Sequence, residues 1–221
     1  MIVARANVGQ PQVAEGHGIS EKSSRTRAAI LAAAEAEFVA NGLSGTKMES
    51  IAKAARVNKA LVYRHFERKE LLFQRVLVNA YRRMREAEAV LTISADPMVA
   101  LDQLCEFTLT YYRKNPGFLV LVGIANLHHG DNLRSVPRSE LAIDKLMTLV
   151  GGIIARGEAT GVFRKNLNPA DLWISLSSQC WFSVATAYTV EVSFGKSILE
   201  DQEADRRLAT IKEVIRRYVL A

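Results

Sequence analysis

Apolar residues recur at helical spacing along nearly the whole chain, whereas signals for β-strands are scarce. Ile30, Ala34 and Phe38, for example, follow one another at intervals of four residues, and Asn41-Gly42 then supplies a left-handed stop. Stripes of this kind give each helix an apolar face that must pack against another helix. The pattern therefore predicts an all-α fold of about nine helices.

The helix boundaries follow from capping residues, prolines and glycines. The first four helices are predicted at residues 24–40, 46–55, 58–66 and 69–91. Five more are predicted at residues 96–115, 117–127, 138–159, 168–192 and 202–220, with a polar loop at 128–137. Thr46 and Glu49 have the spacing of a capping box for the second helix, and Asn58 is suited to cap the third.

The charge of the chain is unevenly distributed. The net charge is +6, and residues 1–94 contain 15 Lys and Arg against 9 Asp and Glu, while residues 95–221 contain 14 of each. A phosphate-binding surface needs such a local density of cations. A basic face that meets only solvent would give the same count, so charge alone leaves both interpretations open.

The sequence also indicates in which cellular compartment the protein is located. Its longest apolar stretches are interrupted too soon to span a bilayer, and residues 1–20 lack the pattern of an export signal. Cys105 and Cys180 lie far apart in apolar helical patterns, which favours buried thiols over a disulfide framework or a zinc site. We expect a cytoplasmic protein without membrane contact, beginning with a disordered arm at residues 1–22.

The second and third predicted helices have the arrangement of a helix-turn-helix, because a three-residue turn separates them and the third helix is basic. The residues between Gly42 and Leu72 read GLSGTKMESIAKAARVNKALVYRHFERKELL. This stretch resembles the DNA-binding domain of the TetR family in its spacing of Thr, Ile-Ala, Ala-x-Val, Tyr-x-His-Phe, Lys-Glu and Leu-Leu. The resemblance covers residues 24–72 and implies a DNA-binding domain at residues 23–69, followed by an effector-binding and dimerisation domain at residues 70–221.

The matching residues have physical roles of their own. At the start of the second helix, the hydroxyl of Thr46, the ammonium of Lys47 and the free backbone amides can bind one phosphate. Side chains that project from the third helix can instead contact base edges and thymine methyls. His65 and Lys69 resemble the family's phosphate-contacting histidine and lysine, and Tyr63 could equally contact phosphate. The alternative for each cation is an ordinary solvated charge. The predicted DNA-binding residues are Thr46, Lys47, Asn58, Lys59, Ala60, Leu61, Tyr63, Arg64, His65 and Lys69.

Other residues of this region are predicted to be structural. Ile51, Ala52, Ala55, Val57, Val62 and Phe66 are expected to form the small core of the domain. Two positions depart from the family. Arg56 occupies the turn where the family has glycine, and a non-glycine residue at positive φ costs on the order of 1 kcal/mol. Arg68 stands where a capping residue is usual, and it cannot cap the fourth helix.

The remainder of the chain supplies candidates for an effector pocket. Aromatic rings on the fifth, sixth and eighth predicted helices, with a glutamine as a polar handle, are suited to line one, although core packing is the default role of such rings. These candidates are Phe107, Tyr111, Phe118, Trp173, Gln179 and Trp181. Asn126, His128, His129 and Asp131 crowd into one loop without the spacing of a zinc site, so we predict no metal and no cofactor.

The sequence thus predicts a transcriptional regulator that binds a palindromic double-stranded DNA operator as a homodimer and responds to a small-molecule effector. The resemblance implies a repressor whose last two helices, at about residues 169–192 and 202–220, form the dimer interface, although their patterns permit packing within one chain equally well. An architectural DNA-binding protein without an effector is the first alternative. An enzyme is the second, and the common catalytic motifs are absent.

Overall fold

The computed structural model describes the backbone of residues 15–221 and the side chains from Glu21 onward. Within residues 15–221 the chain forms eleven α-helices and one 3₁₀ turn, without a named β-strand, which confirms the predicted all-α class. It divides into two compact units, the first ending at Leu72 and the second beginning at Phe73. The sequence placed the domain boundary between residues 69 and 70, at the start of the same helix.

The first unit contains three helices and the start of a fourth. These are α1 (Glu15–Gly45), α2 (Met48–Ala54), α3 (Lys59–Phe66) and the beginning of α4 (Lys69–Ala89). The predicted stop of α1 is confirmed, since the helix is broken at Gly42, where φ is 67°.

Helix α1 begins earlier than predicted. It starts at Glu15 and not near residue 24, so its first turns overlap the predicted arm, whose residues 1–14 lie outside the described part of the chain. Glycines and serines made this stretch look a poor helix former. An ion pair along the helix opposes that tendency, because Arg25 pairs with Glu21, four residues earlier, at 2.6 Å.

The core of the first unit follows the predicted stripes. Ile30, Ala34 and Phe38 of α1 are fully buried. They share the unit with buried side chains of α2 and α3, namely Met48, Ile51, Ala52, Val62 and Phe66. Ala55 and Val57, which were also expected in the core, are only half-buried because they border the turn between α2 and α3.

The second unit continues α4 and adds seven helices. These are α5 (Pro97–Lys114), α6 (Pro116–Leu127), α7 (Asp131–Arg134), α8 (Ile143–Ala159), α9 (Pro169–Ala185), α10 (Ala187–Phe194) and α11 (Asp201–Val219). Helix α5 is central and packs against α6, α8, α9 and α11. The predicted starts of α5 and α9 are confirmed, because the side chains of Asp96 and Asn168 accept hydrogen bonds from the first amides of these helices.

Three boundaries in the second unit were wrong. The polar loop at 128–137 contains the short α7, and residues 138–141 form a 3₁₀ turn that ends where Ala142 adopts a φ of 50°. The predicted helix at 168–192 is broken at Thr186, which separates α9 from α10. Its hydroxyl donates to the carbonyl of Phe182, and such side-chain bonds compete with the helical backbone.

Two further sequence expectations concern membrane spans and the thiols. No helix in residues 15–221 combines the length and the apolar character needed to cross a bilayer. Cys105 and Cys180 are free and buried, as predicted. Burial raises the pKa of the Cys180 thiol to about 12 and raises that of Cys105 as well, so neither forms the reactive thiolate at neutral pH.

Candidate nucleic-acid interface

Helix α3 is fixed by the residue that precedes it and by its inner face. The Asn58 side chain caps the helix, as predicted, by accepting a hydrogen bond from the Leu61 amide at 2.7 Å. Val62 and Phe66, one turn apart, are buried, and the guanidinium of Arg27 lies 5.3 Å from the centre of the Phe66 ring. Anchoring of this face determines which side chains point outward.

The outer face of α3 carries the side chains predicted to contact bases. Lys59, Ala60, Tyr63 and Arg64 are exposed, whereas Leu61 and His65 are half-buried. The ammonium of Lys59 lies 5.7 Å from the centre of the Tyr63 ring and pairs with Glu49 of α2. The hydrogen bond with Lys59 lowers the pKa of Glu49, and the same bond raises the pKa of Lys59.

Thr46 does not have its predicted role. The residue that precedes α2 is Lys47, without a capping side chain, so the predicted capping box of Thr46 and Glu49 is wrong. Thr46 is buried, and its hydroxyl donates to the carbonyl of Gly42 at 2.7 Å, with that of Glu37 at 3.0 Å. The break at Gly42 brings these carbonyls to Thr46. The hydroxyl therefore fastens the end of α1 and does not face outward.

Two predicted phosphate contacts, Lys47 and Lys69, belong to neighbouring segments. Lys47 is exposed at the start of α2. Lys69, at the start of α4, donates from Nζ to the carbonyl of Thr46 at 3.0 Å and lies 3.5 Å from that of Ser44. An ammonium has three donors, so this arrangement orients the group without using all of its hydrogens.

The two departures from the family pattern have structural consequences. Arg56 has a φ of 56°, which confirms the positive φ inferred for the turn. Glu67 also has a positive φ, of 47°, which the sequence did not predict. Glu67 follows the last residue of α3 and stands two residues before α4 begins, so this positive φ lies in the short link between the two helices. No side-chain cap is seen at Arg68, whose carbonyl accepts from the amide of Leu72.

The predicted effector residues of α5 and α6 lie together in the second unit. Phe118 is buried among Tyr81, Tyr111 and Tyr112, with ring centres 5.3, 6.2 and 5.9 Å away. Phe107 packs on Tyr111 at 5.7 Å. Phe107 and Tyr111 also line an open cleft of about 530 Å³ formed by α5 and the segment that follows α4.

The predicted effector residues of α9 do not line that cleft. Trp173 lies under the guanidinium of Arg85, with its ring centre 5.2 Å from Cζ. Gln179 and Trp181 are half-buried, and the buried Nε1 of Trp181 has no hydrogen-bond partner among the described residues. Of the six candidates, Phe107 and Tyr111 therefore line this cleft, and the other four do not.

Sequence reasoning missed Arg85 and Glu88 of α4. Arg85 Nη1 and Glu88 Oε2 form an ion pair at 2.9 Å, and both residues are 5% exposed. Burial raises the pKa of Glu88 to about 7, although Arg85 opposes the shift. Charges on an amphipathic helix are usually expected in solvent. The available signal was their helical spacing from the buried Leu77 and the half-buried Tyr81.

The loop that was considered as a metal site, from Asn126 to Asp131, forms hydrogen bonds and an ion pair within the protein. Asp131 pairs with Arg134 at 2.8 Å, and the side-chain amide nitrogen Nδ2 of Asn126 donates to the backbone carbonyl of Val122. Across the described side chains, no group of three or more His, Cys, Asp and Glu is arranged to hold a metal ion.

Two family models match this chain. The family described as "Bacterial regulatory proteins, tetR family" matches residues 30–76, and "Tetracyclin repressor-like, C-terminal domain" matches residues 97–215. The first match contains the whole of α2 and α3, and the second extends from the start of α5 into α11.

Characterised relatives are similar over most of the chain. The HTH-type transcriptional repressor NicS of Pseudomonas putida is 32% identical over 186 residues, which cover 84% of this chain and 87% of the relative. The HTH-type transcriptional repressor SCO4008 of Streptomyces coelicolor is 25% identical over 88% of this chain and 95% of its own length. A solved structure also has the same fold, that of NalD, the secondary repressor of the MexAB-OprM multidrug efflux pump in Pseudomonas aeruginosa. Its TM-score is 0.59, with 24% sequence identity, and the match covers 90% of this chain and 98% of NalD. Together with the helix-turn-helix geometry, these similarities support a regulator and not an enzyme, and they show that the chain belongs to the TetR family of DNA-binding transcriptional regulators.

Proposed function

We propose that this protein is a cytoplasmic repressor that binds a palindromic operator as a homodimer, under the control of a small-molecule effector bound in the second unit. Repression is supported by the similarity to the repressors NicS and SCO4008. The observation that carries the proposal is the outer face of α3, where Lys59, Ala60, Tyr63 and Arg64 are exposed while Val62 and Phe66 hold the helix from within.

That outer face has the chemistry needed to read a major groove. Arg64 can donate two hydrogen bonds to guanine, and Ala60 with the ring of Tyr63 can contact thymine methyls. Lys59 pairs with Glu49 in the free chain, but an exposed pair of this kind contributes little to stability and is readily exchanged for DNA. These side chains are therefore our candidates for sequence recognition.

Neighbouring groups are placed to hold the DNA backbone. Lys47 is exposed at the start of α2, and Lys69 keeps a donor available while it binds the Thr46 carbonyl. His65 is half-buried next to Phe66, with ring centres 6.2 Å apart. We assign these three side chains to phosphates, whereas Thr46 is left out because its hydroxyl is buried and bonded internally.

The apolar surface of the last helices supports dimerisation. Large apolar side chains remain exposed on α9, α10 and α11, including Ile174, Phe182, Tyr188, Val192 and Val214. Several exposed large apolar side chains on neighbouring helices are suited to an interaction site, and a two-fold dimer buries the same surface on both subunits. Such a dimer presents two copies of α3 to half-sites about 34 Å apart.

Selection of DNA from a random pool by the purified protein tests the proposal. We expect enrichment of a palindrome with two half-sites about one helical turn apart, bound by one dimer. Arg64→Ala should weaken binding to the selected sequence, while Lys165→Ala, which removes an exposed cation of the second unit, serves as the control of equal net charge. Binding without sequence preference would instead identify an architectural protein, and no binding at all would refute DNA recognition.

A further inference from the structure

Helix α4 carries an ion pair in the interior of the second unit. Arg85 Nη1 lies 2.9 Å from Glu88 Oε2, and the two side chains are only 5% and 4% exposed. Charged side chains are seldom buried to this extent unless all of their polar atoms are paired, because each charge loses its hydration.

This pair is incompletely satisfied. Arg85 Nε and Glu88 Oε1 are buried and have no hydrogen-bond partner among the described residues. One is a donor and the other an acceptor, and they belong to side chains already joined to each other. Since unpaired buried polar atoms are rare in folded proteins, the pair has unused capacity for a ligand that offers one acceptor and one donor.

The surroundings of the pair are aromatic. The guanidinium of Arg85 lies over the ring of Trp173, and Tyr81, one turn earlier in α4, packs edge-on against Phe118. Tyr112 stacks on Phe118 and is bonded through its hydroxyl to Ser177 at 2.8 Å. Flat apolar walls that surround a few polar atoms are typical of pockets for small ring compounds.

A cleft of about 330 Å³ reaches Arg85 from the surface. Its lining includes three cationic side chains, Arg82, Arg85 and Lys145, and two acidic ones, Glu86 and Glu140. Glu140 is already paired with Arg75 at 2.8 Å and Arg85 with Glu88 at 2.9 Å. The other charged groups of the lining are Arg82, Lys145 and Glu86, so their net charge is positive. A small anion is therefore favoured over a cation at its mouth.

We propose that Arg85 and Glu88 are the polar anchor of the effector site, and that the effector is a small aromatic carboxylic acid with a hydroxyl or amino substituent. Its carboxylate accepts a hydrogen bond from Arg85 Nε, its substituent donates to Glu88 Oε1, and its ring packs among Trp173, Tyr81 and Phe118. The inference rests on the proposed control by an effector. Arg85 and Lys69 both belong to α4.

The fluorescence of Trp173 provides the readout. The chain has two tryptophans, and Trp181→Phe removes the other one together with an unpaired buried N–H, so this variant should fold. We would titrate it with benzoate, 3-hydroxybenzoate and 3-aminobenzoate, and with benzamide as a neutral control of similar shape. We expect saturable quenching by the acids, tightest for the substituted ones, and none by benzamide.

Variants of the pair then locate the site. Because removal of one buried charge can unfold the protein, the main variant is Arg85→Met/Glu88→Leu, which replaces both charges with apolar groups of similar volume. It should remain folded and bind the acids roughly 10- to 100-fold more weakly. Arg83→Met, an exposed position on the same helix, should bind them as the parent does.

The outcomes separate this inference from the proposed function. Binding of benzamide as tight as that of the acids, no saturable binding of any acid, or unchanged binding by the folded double variant would each overturn the inference. Operator binding is measured independently with the selected DNA. Failure to bind the acids in a protein that still recognises its operator refutes only the effector class, whereas acid binding without operator recognition refutes the regulator.

Discussion

The ammonium of Lys69, the first residue of α4, donates to the backbone carbonyl of Thr46, the residue before Lys47 at the start of α2, at 3.0 Å. Thr46 in turn bonds through its hydroxyl to the end of α1. These two hydrogen bonds connect the start of α4 and the end of α1 to the residue pair that precedes α2. They orient the Lys69 ammonium toward the segment that carries the exposed Lys47. Both lysines are among the side chains that we propose contact the DNA backbone.

Lys69→Ala should weaken operator binding and reduce its dependence on salt. If the ammonium neutralises one phosphate in each subunit, the slope of log K against log salt concentration should fall in magnitude by about 0.9 for every phosphate that the variant leaves unneutralised. Fluorescence anisotropy at several salt concentrations measures the slope. Lys165→Ala, in the second unit, should keep the slope of the wild type, and an unchanged slope for Lys69→Ala would remove this residue from the interface.

Thr46→Val tests the internal role of the buried hydroxyl. The substitution preserves shape but removes the donor to the Gly42 and Glu37 carbonyls, so the free energy of unfolding should fall by about 1–2 kcal/mol. Urea denaturation measures the decrease. Thr46→Ser keeps the hydroxyl and should retain more of the stability. Equal stability of the valine variant and the wild type would contradict the bonding described above.

Gly157→Ala tests the packing of α8. A methyl group added at Gly157 would overlap the ring of Phe163, which is 1% exposed and has no room to move. We expect a decrease of about 1–3 kcal/mol in the free energy of unfolding, because the core must shift to admit the methyl group. Gly152→Ala is the matched control in the same helix, where the nearest atom is the flexible end of Arg156 at 3.6 Å. That control should be neutral or stabilising.

Glu88→Gln tests the buried carboxyl through the pH dependence of stability. Burial raises its pKa to about 7 from an ordinary value of 4.5, so between these values the folded state holds a proton that the unfolded state has released. The free energy of unfolding should therefore fall as pH rises through this window, by up to about 1.4 kcal/mol per pH unit, and the contribution should be constant outside it.

Glutamine cannot ionise, so the Glu88→Gln variant should lack this part of the slope. Urea denaturation between pH 4.5 and 7 gives the comparison. Glu191→Gln, at an exposed position of α10, should retain the wild-type slope. Parallel curves for Glu88→Gln and the wild type would show that folding does not raise the pKa of Glu88.

Local sequence signals predicted the helix-turn-helix well. The cap at Asn58, the inward Val62 and Phe66 and the positive φ of Arg56 all follow from neighbouring residues. Thr46 was misjudged because the capping-box spacing is a local signal, whereas its burial depends on the carbonyls exposed by the break at Gly42. The stop at Gly42 was itself predicted, but the sequence did not show that the freed carbonyls would lie within reach of the Thr46 hydroxyl.

The interior of the second unit was less predictable. Aromatic spacing singled out Phe107, Tyr111 and Phe118, which pack together, but it did not indicate that Tyr81 and Tyr112 also pack on Phe118 or that Trp173 lies under Arg85. The Arg85–Glu88 pair was missed because its burial arises from the packing of neighbouring helices over one face of α4. Sequence therefore predicted the outer face of α3 more completely than the polar atoms of the core.

Affinities for a series of altered operators show whether the outer face of α3 reads the DNA sequence. Each base pair of the selected half-site is replaced in turn, and the wild type is compared with Tyr63→Ala/Arg64→Ala and with the Lys165→Ala control. We expect the binding free energy of the wild type and the control to weaken by about 1–3 kcal/mol at contacted positions, while the double variant becomes insensitive at one or more of them. If the double variant discriminates among bases at every position as the wild type does, α3 does not read the sequence through this face.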